Sequence, residues 1–286
     1  MKICFWSHVR NKAGVTTNMA CVSTFLAIGQ GKKSFLLENH YSLRSLGDVL
    51  MEPEAIEDLR EHGNYYSKYG IEYILKRMYS GESPDKLIKQ TALSLLFSSL
   101  YYLPQGRIVN KEVFNYEFHQ VHERLFDALE KKSDYVFIDT ESNQNLSTST
   151  ILSSADLIVV NLTQNPEQLE AFFTNDSSIQ EKAVYLIGNY SPELPWNVGY
   201  ICKKYDIPRN KIGVIPANQE LKSAIDTGSL LPFLNRNYSY TDNEETEYMI
   251  RYGKRAARMI QKEAQKRKEA RKNRYVAGAE EIDIPV

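Results

Sequence analysis

Ile3-Cys4-Phe5-Trp6-Ser7-His8-Val9-Arg10-Asn11-Lys12-Ala13-Gly14-Val15-Thr16-Thr17-Asn18 passes from four apolar residues into a polar turn with one glycine, and a mostly apolar run, 19–29, follows it. The first four residues have the character of a buried strand, and the run after Asn18 that of a helix. Strand, polar turn and helix N-terminus in that order make an anion site, because the first N–H groups of a helix lack intrahelical partners and its dipole favours negative charge there. With a single glycine the segment also reads as an ordinary strand-to-helix turn, so the surrounding sequence decides between the two.

Outward from it, short β-branched or aromatic runs at 34–38, 99–103, 135–139, 157–162, 183–189 and 212–215 alternate with longer amphipathic stretches. Together with 3–6 they predict an α/β fold, a mostly parallel twisted sheet with helices on both faces. Most runs end in polar or turn residues, where an open α/β sheet places its ligand crevice, and Ser7, Glu38, Asp139, Asn189 and Pro216 mark that side. Between the second and third runs, helical patterning stands at 56–60, 69–78 and 84–97. The chain divides into an α/β domain at 1–235, a linker at 236–247, a basic amphipathic helix at 248–274 and a flexible tail at 275–286. Truncation after Glu247 is expected to leave the α/β domain folded.

With 42% hydrophobic and 25% charged residues, the 286-residue chain has the composition of one large globular domain. No run approaches the ~18 consecutive apolar residues of a membrane span. The opening residues lack the apolar core and cleavage site of a secretory signal, which predicts a cytoplasmic protein. Cys4, Cys21 and Cys202 show neither disulfide nor zinc spacing and read as reduced core thiols. His119 and His122, with Glu123, can share a helix face, but no third zinc ligand follows at a sensible spacing.

Charge is distributed unevenly. Residues 251–274 hold eleven Lys and Arg against Glu263 and Glu269, a net +9, and since the whole chain carries −1 the remainder carries −10. Met249, Ala256 and Ile260, with Tyr252 and Ala264, form one stripe opposite Arg251, Lys254, Arg255, Arg258 and Lys262. Three readings stand: a solvated helix, contact with an anionic membrane surface or nucleic acid, and contact with an acidic protein.

The opening stretch, followed by Gly31-Lys32-Lys33-Ser34-Phe35-Leu36-Leu37-Glu38, resembles the start of the ParA/MinD-like P-loop ATPases, where K-G-G-x-G-K-T-T precedes a strand ending in Asp. Ser133-Asp134-Tyr135-Val136-Phe137-Ile138-Asp139-Thr140 resembles that family's Walker B strand. Ser153-Ser154-Ala155-Asp156-Leu157-Ile158-Val159-Val160 resembles the strand after it, and Gly213-Val214-Ile215-Pro216-Ala217-Asn218 the late base-side loop. The four motifs stand in the family's order over about residues 2–234. The resemblance implies a P-loop NTPase fold, ATP or ADP with Mg²⁺ as cofactor, and a homodimer.

Residue by residue, the resemblance places Gly14 before the Walker lysine, Thr16 and Asp139 on magnesium, Thr17 on a phosphate, and Asn189 and Pro216 against adenine. Arg10 takes the signature-lysine position that reaches across a dimer, and Lys12 replaces a loop glycine, either as a substitute cation or as a solvated turn residue. The Walker-lysine position is Val15, and the switch aspartate position is His40, a candidate base or simply a polar residue closing a strand. Losing lysine and carboxylate removes charge stabilisation and nucleophile positioning together, so nucleotide binding is expected to be weak or absent and hydrolysis very slow. The Phe-Trp-Ser opening and lysine-free loop look most like the TadZ/CpaE-like branch, implying a localisation or scaffold role with the proteins of a Tad-type pilus or secretion machine as partners. The alternative is an active partitioning or division-site ATPase with Arg10 or Lys12 as its cation.

Overall fold

In the computed structural model the short runs become strands: β1 (Lys2–Trp6), β2 (Ser34–Asn39), β3 (Leu93–Leu95), β4 (Leu100–Leu103), β5 (Tyr135–Thr140), β6 (Leu157–Leu162), β7 (Ala183–Tyr190) and β8 (Ile212–Pro216). The structure describes residues 1–280 apart from 11, 41–43, 67–69, 97–98, 106–107 and 109. Asn11 of the loop, Tyr69 and Phe97 at the ends of two expected helices, and 281–286 of the expected tail lie outside the described residues. The strands form one sheet in the order β3-β4-β2-β5-β1-β6-β7-β8, parallel except for β3 against β4. Every residue of β2, β5 and β6 is buried. Burial on both faces explains why these strands read as near-continuous apolar runs.

The described helices are α1 (Val15–Gln30), α2 (Gly47–Leu50), α3 (Pro53–Tyr66), α4 (Gly70–Tyr79), α5 (Pro84–Thr91), α6 (Lys111–Glu130), α7 (Leu146–Ser154), α8 (Pro166–Asn175), α9 (Ser177–Gln180), α10 (Val198–Lys204), α11 (Gln219–Asp226), α12 (Leu230–Asn237) and α13 (Glu244–Glu280). Successive strand side chains point to opposite faces, and β1 shows it: Ile3 and Phe5 join Phe25, Val49, Leu234 and Ile260, while Cys4 and Trp6 join Ile74, Leu125, Ile151 and Phe172. One face therefore carries α1, α2 and α11 to α13, and the other α4 to α8 with α10. Glu38 and Asp139 are partners in the β2/β5 register, as are Asn39 and Thr140. That register brings the β2 and β5 ends together, with β1 beside β5.

Two sequence expectations are corrected here. The helix expected over 84–97 ends at Thr91, and Leu93–Leu95 instead pairs antiparallel with β4, Leu93 opposite Tyr102. An apolar run this short does not distinguish strand from helix, and the open edge of β4 supplies the backbone partners that decide it.

The last helix begins at Glu244, behind the cap Asn243, whose Oδ1 accepts from the Thr246 N–H at 3.1 Å, and its backbone stays helical to Glu280. It is part of the core: Met249, Ile250, Ala256, Ala257, Ile260 and Ala264 are all at most 3% exposed. Small residues let it close on the sheet and on α1, because a Cβ on Gly213 would stand 2.9 Å from the Ala256 Cβ and one on Gly253 would stand 2.4 Å from the Phe25 ring. In the stretch expected as a linker, Tyr238 packs on Phe25 with ring centroids 6.3 Å apart and lies beneath the Lys254 ammonium at 3.9 Å. The expectation that the domain survives truncation after Glu247 is therefore reversed.

Candidate functional site

The turn from β1 to α1 closes on Gly14, which sits in the left-handed region (φ 64°, ψ 38°) that glycine adopts without strain. Gly14 brings no side chain to cap α1, and the first turn of the helix holds no acidic residue. The helix start opens on a cavity of about 530 Å³, lined by Gly14, Val15, Thr16 and Thr17 on one side and by His40, Asp139, Thr140 and Glu141 on another. Such an end attracts anions through its free N–H groups and its dipole.

The loop is tied down from behind. Asn18, 2% exposed, donates to the Ala13 carbonyl at 3.1 Å and to Asn161 Oδ1 at 2.8 Å, and Asn161 donates to the Trp6 carbonyl at 3.2 Å. Gly188 makes room for this pair, since a Cβ there would meet the Asn18 amide at 2.6 Å. Sequence reasoning passed over these residues. The available signal was an asparagine within the apolar run 157–162, because a buried amide needs partners.

Behind the opposite wall, the β2/β5 register sets buried Glu38 beside Asp139, which lines the cavity. Two residues beyond Glu38, His40 returns to the same face by strand periodicity. Its Nε2 lies 3.2 Å from Glu38 Oε2 and 3.3 Å from Asp139 Oδ2, with all three side chains at most 5% exposed. Burial alone would lower the His40 pKa, but Asp139, Glu38 and Glu141 outweigh it and raise it to about 9. The ring is therefore an imidazolium at neutral pH, set between the Glu38 and Asp139 carboxyl groups. Burial pushes the Glu38 carboxyl up, against the pull of His40, the Tyr102 hydroxyl that donates to it, and the Leu46 backbone.

Arg10 and Lys12 are exposed and line the cavity mouth. Burial raises the Glu141 pKa, opposed by Arg10, Lys111 and His40. Val15, at the lysine position, lines the cavity but packs on the core cluster beneath α1, and brings no charge. Asn189 (φ 48°) and Pro216 stand at the ends of β7 and β8, where Ala217 N–H donates to the Tyr190 carbonyl at 2.9 Å. They share the sheet edge with the loop but are not among the residues lining the cavity. On α6, His119 Nδ1 meets Thr150 Oγ1 at 2.8 Å, and its ring stacks on His122.

The magnesium implied by the resemblance would meet His40 at this wall. Mg²⁺ demands oxygen ligands at ~2.0–2.1 Å in near-octahedral geometry. Here the inward oxygens of Asp139 and Glu38 face an imidazole nitrogen, so an ion bound directly by both would have to displace the ring.

No known protein family and no curated protein matches the chain by sequence. Solved structures do match. A ParA family ATPase from Chlorobium tepidum aligns over 88% of this chain and 98% of its own, with 12% identity and a TM-score of 0.65. The cell division ATPase MinD from Pyrococcus furiosus aligns over 91% and 98%, with 15% identity and a TM-score of 0.64. The septum site-determining protein MinD from Pyrococcus horikoshii, complexed with Mg-ADP, aligns over 93% and 99%, with 14% identity and a TM-score of 0.61. At such identities the likeness is one of architecture: this chain has the fold of the ParA and MinD ATPases.

Proposed function

We propose that this chain is a ParA/MinD-type protein that holds nucleotide phosphates at the start of α1, turns them over far more slowly than an efficient ATPase of that fold, and acts as a localisation or scaffold factor. The observation that carries the reading is the pairing of Val15 at the lysine position with His40 locked between Glu38 and Asp139. An anion-attracting helix end remains, while the cation and free carboxylate that stabilise phosphoryl transfer do not. Each lost transition-state contact of this kind costs on the order of 10²–10³ in rate. Calorimetry with ATP and ADP is expected to detect binding, and a steady-state assay little or no hydrolysis. Turnover typical of partitioning ATPases, abolished by Asp139→Ala, would overturn the reading.

A Tad-type pilus or secretion machine, as in the TadZ/CpaE-like proteins, is the assembly we assign to this scaffold, on the strength of the Phe-Trp-Ser opening and the lysine-free loop. In this proposal the protein works as a homodimer in the cytoplasm, peripheral at the membrane. Its basic stretch faces an anionic surface, whether lipid, nucleic acid or an acidic protein. Two observations support a charge-driven contact: the apolar stripe of α13 is spent inside the protein's own core, and Lys266 and the residues 268–273 beyond Ala264 are exposed. No described helix is long and apolar enough to cross a membrane. The second reading, an active ATPase, is favoured by Arg10 and Lys12 lining the cavity. It requires that Arg10→Ala or Lys12→Ala abolish turnover.

A further inference from the structure

Asp139 lines the cavity and Glu38 lies beside it outside the lining, and this pair poses a physical problem that the fold must solve. Glu38 and Asp139 are register partners on neighbouring strands, each 2% exposed, and adjacent buried charges of like sign repel strongly in a medium of low dielectric. In P-loop NTPases a magnesium ion held partly by the Walker B aspartate supplies positive charge beside that residue. Here His40 does so: it projects from the end of the Glu38 strand on the same face and sets its Nε2 at 3.2 Å and 3.3 Å from the inward oxygens. Those oxygens, Glu38 Oε2 and Asp139 Oδ2, meet no other donor among the described residues. The ring is 4% exposed, so a cation could reach both carboxylates only by displacing it.

Taking the phosphate-binding reading above as its basis, we propose that His40 occupies the place of the divalent cation, so that phosphate ligands bind this site without magnesium. The imidazole supplies the countercharge from within the fold. Arg10 and Lys12 at the mouth are then left to meet the phosphates directly.

The test has two arms. Mn²⁺, which shares the oxygen-ligand preference of Mg²⁺ and is visible by electron paramagnetic resonance, is titrated into the full chain without nucleotide. Wild type is expected to show no saturable Mn²⁺ site, and His40→Gln to gain one that is lost again when Asp139→Asn is added. A wild-type Mn²⁺ site abolished by Asp139→Asn overturns the proposal, and so does a folded His40→Gln protein that gains no site. Should His40→Gln fail to fold, His40→Asn, which keeps both carboxylates, takes its place, and a saturable wild-type Mn²⁺ site lost with Asp139→Asn still overturns the proposal.

In the second arm ATP is titrated into wild type with Mg²⁺ and with EDTA. Affinities equal within about threefold are expected, and any larger tightening by Mg²⁺ overturns the proposal. If ATP binds in neither condition, the phosphate-binding reading fails and the magnesium-free claim falls with it. The Mn²⁺ arm still decides separately whether His40 keeps the cation out.

Discussion

Deleting everything after Glu247 is expected to unfold this protein, although the deleted stretch is the most highly charged in the sequence. Met249 and Ile260 are fully buried and Ile250 is 3% exposed, and burying a side chain of this size stabilises by ~1.5–3 kcal/mol. These three residues alone contribute about 5–9 kcal/mol, comparable with the ~5–15 kcal/mol total stability of a typical domain. The deletion also exposes Phe25 and Ile215 on the elements that α13 covers. A second truncation, after Gln265, retains every residue of the helix that is buried among the described side chains but removes the contacts of Arg267 with the Asp156 and Glu181 carbonyls and the Arg271–Asp156 ion pair. Exposed pairs of this kind are worth ~0–1 kcal/mol, so this chain should fold with a nearly unchanged urea midpoint. Circular dichroism and urea denaturation of the two truncations and the full chain make the comparison. A cooperative transition at the wild-type midpoint after the Glu247 truncation would refute the assignment of α13 to the core.

Stability should fall as pH rises from about 6.5 to about 9: a folded His40 pKa of about 9 lies above its ordinary value, so its contribution is full below ~6.5 and lost through 9, by up to ~3 kcal/mol. The raised Glu38 pKa acts with the same sign from its ordinary carboxyl range upward, and denaturation midpoints of the wild-type protein across pH test the fall. Cys4 and Cys21, pushed by burial to about 12, should resist a thiol reagent at pH 8 in the native protein and react at once in denaturant. Val15→Lys should tighten ATP binding by ~10-fold, the worth of one charge-assisted phosphate contact, while raising turnover far less, because the switch position still lacks its carboxylate; unchanged affinity would mean that the loop does not cradle phosphate. Gly253→Val should cost about 1–3 kcal/mol in chemical denaturation, since its Cβ would stand 2.4 Å from the Phe25 ring.

The seven parallel strands were legible in the sequence, because a strand buried on both faces is written as an unbroken β-branched or aromatic run, whatever its neighbours. The strand-loop-helix at Trp6 to Val15 was legible for a similar reason: a turn through the left-handed region calls for glycine, and Gly14 supplies it. What depended on partners was not. Leu93–Leu95 became a strand only because β4 offered an open edge, and the stripe from Met249 to Ala264 gave no sign that Gly213 and Phe25 would receive it. At the site, Gly14, Thr16 and Thr17 stand together through local chain geometry, so their sequence spacing was sufficient to find them. Glu38, His40 and Asp139 meet across a separation of about a hundred residues, through a β2/β5 register that no local pattern records. Sequence alone therefore identified the residue that departs from the phosphate-binding pattern, and tertiary structure decided what that residue does, because only strand pairing sets two buried carboxylates beside one imidazole.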